Sequence, residues 1–327
     1  MAFELTDPQI KQDMGIVHRE LHRVLSVSRY SKSIRHALDY LVQSPGKRLR
    51  PLLAILSYRS IVGDGELPMA VIRFSAALEL IHMASLVHDD MIDAAETRHG
   101  RPAFHRQFGT DVAIPVGVLL YSISLKLLAD VGHIEVISRV SRAVDQLCGG
   151  ELDQVLSRNH FDVTVPDYLL VLKKKTSALF SLASWGGVRL ADASRNQCQG
   201  ASHFGNALGL LFQVSDDVLD FTGRAKELLK GANQDFVVGE ITLPLIVLLQ
   251  RLNPAERGRA VTIMEQRDWD GLAWLSEQLV GAGVIDECEA IMRRYLERCN
   301  VYLGGVPVNN YSQILRDVVQ FISNRAK

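Results

Sequence analysis

The chain has 327 residues, of which 47% are hydrophobic and 22% charged, so it is long enough to bury one large core or two small ones. Its 36 Lys and Arg residues are almost balanced by 37 Asp and Glu residues, which gives a formal net charge of -1 at pH 7. This balance argues against a nucleic-acid-binding surface. The four cysteines show no CxxC or Cys/His spacing, so we interpret them as ordinary thiols of a reducing compartment.

The sequence also bears on targeting. Residues 1–23 mix acidic and basic side chains and lack an apolar core, which argues against a secretory signal. The longest apolar stretch, residues 112–125, is interrupted by Pro115 and is too short for a membrane span. We therefore expect a soluble cytoplasmic protein with no transmembrane segment.

Apolar residues recur at helical spacing along almost the whole chain, and strand patterns are nearly absent. In chain order, the predicted helices cover residues 8–26, 33–43, 50–62, 68–93, 110–131, 134–158, 166–190, 197–221, 243–252, 254–266, 271–280, 285–303 and 312–324. The helices at 68–93 and 197–221 are apolar around most of their circumference, which is typical of central helices in a bundle. No linker or short repeat interrupts the pattern. The sequence predicts an all-α fold, a large helix bundle with a single domain over residues 1–327.

Two distant segments, LVHDDMID and QVSDDVLD, each place a DDxxD motif at the end of a very apolar helix. Residues four apart share a helix face, so Asp89 lines up with Asp93, and Asp216 lines up with Asp220. These carboxylates repel one another and lie at the negative end of the helix dipole. A cation must compensate this negative charge. Mg²⁺ is suited to do so, because it prefers carboxylate oxygens and is usually shared with a substrate's phosphates. One such cluster is equally typical of a solvated helix end, but two copies predict a metal site.

Cationic segments accompany these motifs. GKRLRP, at residues 46–51, opens a helix with three positive charges, and TRHGRP follows the first acidic motif at 97–102. Further lysines are found in the run KKKT at 173–176 and at Lys230. Arginine and lysine at loop–helix junctions commonly bind diphosphates. Each of these segments alone is also typical of a solvated loop, and His82 alone is more typical of a hydrogen-bonded core histidine.

Together these motifs resemble the trans-prenyltransferases, or polyprenyl synthetases. The resemblance runs from GKRLRP to the FISNR tail, through ELIHMASLVHDDMID, GELDQ, GLLFQVSDDVLDFTG and KGANQDFVVGEITLPL. It implies the isoprenyl diphosphate synthase fold and an Mg²⁺-dependent transferase. The implied reaction condenses an allylic prenyl diphosphate with isopentenyl diphosphate, and the product is medium to long. A cytoplasmic homodimer is the expected assembly.

The resemblance also implies residue roles. The expected ligands of three Mg²⁺ ions are Asp89, Asp90, Asp93, Asp216, Asp217 and Asp220. The expected ligands of the allylic diphosphate are Arg98, Lys175 and Lys230. Lys47, Arg50 and His82 match positions that hold the diphosphate of isopentenyl diphosphate, and His99 stands beside them. Thr176 and Gln213 match residues that face the developing carbocation. The catalytic set is thus Asp89, Asp93, Lys175, Thr176, Gln213 and Asp216.

The sequence departs from the family pattern at three positions. His99 stands where a second arginine usually binds isopentenyl diphosphate, Glu240 replaces a lysine near the allylic diphosphate, and Val118 replaces a frequent aspartate. The first two changes remove or reverse a positive charge. We therefore expect weaker binding of diphosphate unless His99 is protonated or another base substitutes.

These departures leave two alternatives open. One is the same ionisation without a second diphosphate, in a terpene cyclase or in prenyl transfer to another acceptor. The other is a regulatory subunit of a heteromeric synthase, against which two complete DDxxD motifs argue. If elongation holds, the small residues Ala84 and Ser85, one turn before the first motif, predict products longer than farnesyl. Periodicity alone suggests Tyr121 as the floor of the product tunnel.

Overall fold

The computed structural model describes residues 6–26, 30–46, 48–224, 234–281 and 283–325, without the side chains of 220–224, 234–235 and 280. The first helices are α1 (Pro8–Leu25), α2 (Lys32–Val42), α3 (Leu49–Val62), α4 (Met69–Ile92), α5 (Phe104–Phe108), α6 (Thr110–Val131), α7 (Ile134–Leu156) and α8 (Val165–Leu172). The rest are α9 (Ala178–Leu190), α10 (Arg195–Arg224), α11 (Gln234–Val238), α12 (Leu243–Arg251), α13 (Pro254–Gln266), α14 (Leu272–Gly281), α15 (Val284–Gly304) and α16 (Asn310–Asn324). The predicted all-α fold is confirmed.

The described chain contains two further elements that the sequence did not predict. A two-stranded antiparallel ribbon pairs β1 (Thr97–Arg98) with β2 (Arg101–Pro102). A π-helical turn, Lys173–Ser177, joins α8 to α9 within the single helix predicted at 166–190. The short helices α5 and α11 were also missed, whereas α6 and α13 have the predicted bounds.

The contacts divide the chain into two compact units. The first comprises Met1–Val144, Leu179–Gly205 and Gly305–Leu315, and the second comprises Asp145–Ala178, Asn206–Gly304 and Arg316–Lys327. The single domain expected from the sequence stays a prediction.

Helix α4 forms the core of the first unit and packs against α1, α3 and α6. Its side chains are buried around most of the helix, and Phe74 and Leu78 are completely buried. A Cβ added at Gly187 of α9 would lie 2.2 Å from the carbonyl oxygen of Ala54 in α3. Glycine is therefore needed where α9 approaches the backbone of α3. The close packing of this core holds in place the end of α4 that carries the first acidic motif.

A buried ion pair ties α1 to α3 in the same unit. Arg59 donates from both Nε and Nη2 to the carboxylate of Asp13, the second bond measuring 2.9 Å, and both side chains are 1% exposed. Arg59 also donates to the carbonyl oxygens of Gly63 and Gly65. Its donors are therefore well satisfied, which a buried charge requires.

In the second unit, α12, α14 and α15 pack together around buried residues such as Leu248. Cys288 and Cys299 of α15 are completely buried, and burial raises the pKa of each thiol to about 12. Cys198 of the first unit is also buried, and burial raises its pKa, whereas Cys148 is exposed on α7. The buried thiols are therefore chemically inert, as expected of ordinary cysteines.

Two helices are long and apolar enough to cross a membrane by length and composition alone, namely Met69–Ile92 and Thr110–Val131. The apolar window of the first is 78% buried, as in the core helix of a folded protein. The second is 44% buried and extends beyond the apolar stretch that we judged too short for a span. Two such helices are weak evidence for a membrane protein.

Candidate active site

The first acidic motif ends helix α4. Asp93 is the C-terminal cap, and its backbone N–H donates to the carbonyl oxygen of Asp89 at 2.8 Å. Asp89 and Asp93 are half-buried, whereas Asp90 is buried. Asp90 accepts two hydrogen bonds from Arg98, one of them from Nε at 2.8 Å. The second aspartate of the motif is therefore held by the protein itself.

The β-ribbon explains how Arg98 reaches that aspartate. Arg98 pairs with Arg101, and the two residues of the turn, His99 and Gly100, both have positive φ, at 52° and 76°. This is the conformation of a type I′ hairpin turn, which folds the chain back tightly. The ribbon is anchored on α2, because Tyr40 donates to the carbonyl oxygen of Pro102 at 2.7 Å. His99, expected to bind substrate, is thereby placed at the exposed tip of this hairpin.

Several cationic side chains lie near one another beside the first motif. Burial lowers the pKa of His82 well below its ordinary value, and the positive charges of Arg50, Arg98, Arg48 and His99 lower it further. Since these charges act on His82 together, the structure brings the predicted residues Arg50, His82, Arg98 and His99 into one cluster. At neutral pH His82 is therefore an uncharged member of a cationic cluster.

Arg50 is a strongly desolvated member of this cluster. Burial lowers the pKa of its guanidinium to about 10, against the opposing effect of the carboxylates of Glu79 and Asp89. Its guanidinium carbon lies 5.0 Å from the centre of the Phe180 ring, a favourable cation–π distance. A desolvated guanidinium held over an aromatic face can offer its N–H donors to an anion without first losing water.

The pKa of Arg98 is shifted in the opposite direction from that of Arg50. Burial acts to lower its pKa, but the hydrogen bond to Asp90 and the negative charges of Asp89 and Asp93 outweigh burial and raise the pKa above the ordinary value. Arg98 thus remains charged and paired with the acidic motif.

The sequence analysis missed Arg48. This residue is the N-terminal cap of α3, and its backbone is left-handed, with φ of 47° and ψ of 39°. Its guanidinium donates to Glu79 and to the carbonyl oxygen of Val42. Nothing in the local sequence distinguishes it from Lys47 and Arg50, since the partner on α4 is 31 residues away.

The second acidic motif lies on α10 in the second unit. Asp217 is buried and accepts hydrogen bonds from the hydroxyl of Tyr168 and from Gln213 Nε2, the latter at 3.0 Å. The carbonyl oxygen of the Gln213 side chain accepts from Thr176 Oγ1 at 3.2 Å. Tyr168, Asp217, Gln213 and Thr176 therefore form one hydrogen-bonded chain. It brings together the predicted Thr176 and Gln213, and it adds Tyr168, which the sequence analysis missed.

Asp216 precedes this chain and has a different partner. Arg325, near the end of α16, forms an ion pair with Asp216 at 2.8 Å, and its guanidinium lies 5.3 Å from the centre of the Phe212 ring. As in the first motif, one aspartate is buried among protein donors while the preceding one is more exposed.

The π-helical turn places two lysines. Lys175 forms an ion pair with Glu151 of α7 at 2.6 Å, and Lys174 forms one with Asp153 at 2.6 Å. A Cβ added at Gly150 would lie 2.6 Å from the backbone nitrogen of Lys175. The GELDQ segment thus supplies both the close approach and the carboxylate for Lys175. Single-turn π-bulges of this kind are frequent at functional sites.

Glu240, one of the three positions that depart from the family pattern, is paired with a basic side chain. Arg158, just after α7, donates to Glu240 at 3.4 Å, and both side chains are largely buried. Nearby, the backbone N–H of Asn159 donates to the carbonyl oxygen of Gly239 at 3.0 Å. The negative charge of Glu240 is therefore balanced inside the protein.

Not all predicted residues can be placed. Lys47, Lys230 and the side chain of Asp220 lie outside the described residues. Among the residues that the structure does describe, no three His, Cys, Asp or Glu side chains form a group that could hold a metal ion. The donors nevertheless fit Mg²⁺, because it commonly takes only one or two carboxylates and completes its shell with water and substrate phosphates. The predicted metal ligands stay a prediction.

Comparison with known proteins then identifies the family. The pattern described as Polyprenyl synthetase matches residues 31–273. The chain belongs to the polyprenyl synthetase family. It is 32% identical over 316 residues to heptaprenyl diphosphate synthase component 2 of Geobacillus stearothermophilus, covering 97% of both chains. The resemblance and the prenyltransferase class predicted from the sequence are confirmed.

Solved structures of polyprenyl synthetases have the same fold. A decaprenyl diphosphate synthase from Rhodobacter capsulatus superposes with a TM-score of 0.90 at 28% identity, covering 98% of each chain. A polyprenyl synthase from Caulobacter crescentus CB15, complexed with calcium and isoprenyl diphosphate, has a TM-score of 0.89 at 27% identity and covers 98% of this chain and 96% of its own. These relatives do not favour the cyclase alternative.

Proposed function

We propose that this protein is a polyprenyl diphosphate synthase that condenses an allylic prenyl diphosphate with isopentenyl diphosphate. The observation that carries this proposal is the gathering of Arg50, His82, Arg98 and His99 beside an acidic helix end. Such a site has carboxylates for metal ions, with Arg98 paired to them, and a separate set of Arg50, His82 and His99 for a second diphosphate. A cyclase, with one diphosphate, has no need of the second set.

Binding and ionisation of the allylic diphosphate are assigned to the acidic motifs. Asp89, Asp93, Asp216 and Asp220 would hold Mg²⁺, with three ions expected, and Mg²⁺ would neutralise charge on the departing diphosphate. The same diphosphate would also be bound by Arg98, Lys175 and Lys230. The ion pair with Glu151 holds Lys175 in place and charged before the diphosphate arrives.

The hydrogen-bonded chain in the second unit orients the groups assigned to the carbocation. Gln213 is fixed at both ends, since its nitrogen donates to Asp217 and its oxygen accepts from Thr176. Its oxygen dipole and that of Thr176 can therefore stabilise positive charge without reorganisation.

Isopentenyl diphosphate would be bound by Lys47, Arg50, His82 and His99. Because His82 is neutral, it contributes a hydrogen bond rather than a full charge. Lys47→Ala should then abolish elongation while leaving ionisation of the allylic substrate largely intact. Unchanged elongation in this variant would refute the assignment of the second diphosphate.

We propose medium-to-long products. Ala84 and Ser85 are small and buried, and Ser85 Oγ donates to the carbonyl oxygen of His82, so neither blocks a growing chain. The relatives named above make heptaprenyl and decaprenyl diphosphates by name. Tyr121 remains the candidate floor. Ala84→Phe should shorten the product in chromatography of the reaction mixture, whereas an unchanged distribution would mean that the tunnel runs elsewhere.

The proposed assembly is a cytoplasmic homodimer. Helix α6 exposes Val112, Ile114, Val118 and Leu125, with 37–58% of each residue accessible. Val118, where an aspartate is frequent, therefore lies on this apolar face. The Geobacillus relative is named a component, so a heteromeric assembly is the alternative. Light scattering of the purified chain distinguishes a dimer from a monomer that awaits a partner.

The deciding experiment uses purified protein with Mg²⁺ and farnesyl or geranylgeranyl diphosphate, with and without isopentenyl diphosphate. Consumption of isopentenyl diphosphate with formation of longer prenyl diphosphates supports the proposal. Formation of a hydrocarbon, an alcohol or another prenylated product without its consumption would support the alternative. Absence of any turnover by the homodimer would support the alternative of a heteromeric synthase.

A further inference from the structure

Arg48 and Glu79 form an ion pair close to the cationic cluster of Arg50, His82, Arg98 and His99. Arg48 Nη1 is 2.5 Å from Glu79 Oε1, and Glu79 is buried on α4 at 4% exposure. Glu79 Oε2 has no hydrogen-bond partner among the described residues. A carboxylate buried in this way is costly unless cations surround it.

The backbone at Arg48 depends on the same contact. A residue with a Cβ is rarely left-handed, and Arg48 adopts this conformation at the point where the GKRLRP loop enters α3. The side chain is held at two further points, by the carbonyl oxygen of Val42 at 2.9 Å and by Met83 Sδ at 3.6 Å. These contacts fix the loop end against α2 and α4.

Glu79 also acts on Arg50. Its negative charge partly opposes the desolvation of that guanidinium, whose Nε lacks a hydrogen-bond partner among the described residues. Arg50 is the second residue of the helix that Arg48 caps. The position of Arg48 therefore sets the start of α3, and Glu79 balances the charge of both arginines.

We propose that Arg48 and Glu79 form a positioning pair that holds the start of α3 and Arg50 in the geometry that binds a metal-free diphosphate. This inference rests on the proposed function, because it concerns the site assigned to isopentenyl diphosphate. Neither residue of the pair touches the substrate. The pair acts by fixing the cations that do, before the diphosphate arrives.

The first test measures binding of inorganic pyrophosphate by calorimetry in the presence of a chelator, so that metal-dependent binding is absent. Glu79→Gln should weaken binding by about tenfold, because misplaced binding groups lose much of their effect. Arg48→Gly should weaken it similarly, and since glycine accepts the left-handed backbone, this loss does not come from backbone strain at the start of α3. The double variant should lose no more than either single one, as expected for one coupled pair.

The matched control is Glu135→Gln, which removes another Arg–Glu pair of the first unit, Arg189–Glu135 at 2.9 Å. It should bind pyrophosphate like the wild type. Tighter binding by Glu79→Gln would overturn the proposal, because it would show that removing the negative charge outweighs any loss of position. Additive losses in the double variant, or a loss in Arg48→Gly alone, would make Arg48 a direct ligand and also overturn it.

Kinetics provide the second test. Both single variants should raise KM for isopentenyl diphosphate about tenfold while leaving KM for the allylic substrate unchanged, and Glu79→Asp should recover part of the loss. An equal rise in both KM values would indicate general damage and refute a positioning role. If wild-type protein consumes no isopentenyl diphosphate but the pyrophosphate results hold, the proposed function fails and the positioning pair stands.

Discussion

The two acidic motifs have the same DDxxD pattern at the end of an apolar helix, yet the protein satisfies them with different chemistry. In the first, buried Asp90 accepts from the charged Arg98 of a hairpin. In the second, buried Asp217 accepts from the neutral donors Tyr168 and Gln213 on helices. In both, the preceding aspartate is less deeply buried. The comparison indicates that buried donors of the protein hold the second aspartate of each motif, while Asp89 and Asp216, the latter paired with Arg325, are the more exposed carboxylates that we propose as metal ligands.

The largest expected effect would separate these two roles. Replacing Asp89 or Asp216 with Ala should lower turnover by at least about two orders of magnitude with little change in melting temperature, as loss of a metal's electrostatic contribution would. Replacing Asp90 or Asp217 should lower the melting temperature as well. Steady-state kinetics and thermal melting measure both.

The control for these variants is Asp145→Ala, at an exposed position on α7. Turnover that persists in excess chelator, or in the variant lacking both Asp89 and Asp216, would contradict the metal-dependent mechanism itself.

A second prediction concerns the neutral donors. Tyr168→Phe removes one hydrogen-bond donor from the buried carboxylate of Asp217 and should reduce the free energy of unfolding by about 1–3 kcal/mol. Urea denaturation measures this, with Tyr30→Phe, at a half-buried position between α1 and α2, as control. Because the Gln213 orientation also depends on Asp217, turnover should fall more than KM rises. Unchanged stability and turnover would show that Tyr168 is not needed to hold the second motif.

A third prediction follows from the lowered pKa of His82. Unfolded His82 binds a proton near pH 6.5, whereas folded His82 resists protonation, so stability is full above that pH and is lost as the pH falls through 6.5. The slope contributed by this residue is at most about 1.4 kcal/mol per pH unit. His82→Gln should make the melting temperature depend less on pH between pH 7 and 5.5. A slope as steep as that of the wild type would place the acid sensitivity elsewhere.

The smallest expected effect is at the hairpin tip. If elongation is the activity, binding of isopentenyl diphosphate should improve as the pH falls and more of His99 carries a proton. His99→Arg should lower KM for isopentenyl diphosphate several-fold and flatten that dependence, whereas His203→Arg, exposed on α10, should do neither. If His99→Arg leaves KM unchanged, the hairpin tip does not reach this substrate.

Local periodicity was enough to predict most of the helices, because each buries an apolar face at 3.6-residue spacing. It could not predict the ribbon, whose strands of two residues are too short to alternate and whose turn carries a histidine with positive φ. The π-helical turn was missed because Lys173–Ser177 contains neither glycine nor proline. Site residues inside the motifs were predicted, but Tyr168, 49 residues from Asp217, and Arg48 depend on long-range contacts that no local pattern reveals.

The cysteines offer a practical route to following these changes by fluorescence. Cys198, Cys288 and Cys299 are buried and their thiols have raised pKa values, so maleimide reagents should not label them in the folded protein. Cys148 is exposed two residues before Gly150, where α7 meets the π-helical turn. A single dye could therefore be attached to the natural sequence, close to Lys175. Its emission would report substrate arrival without any cysteine having to be removed.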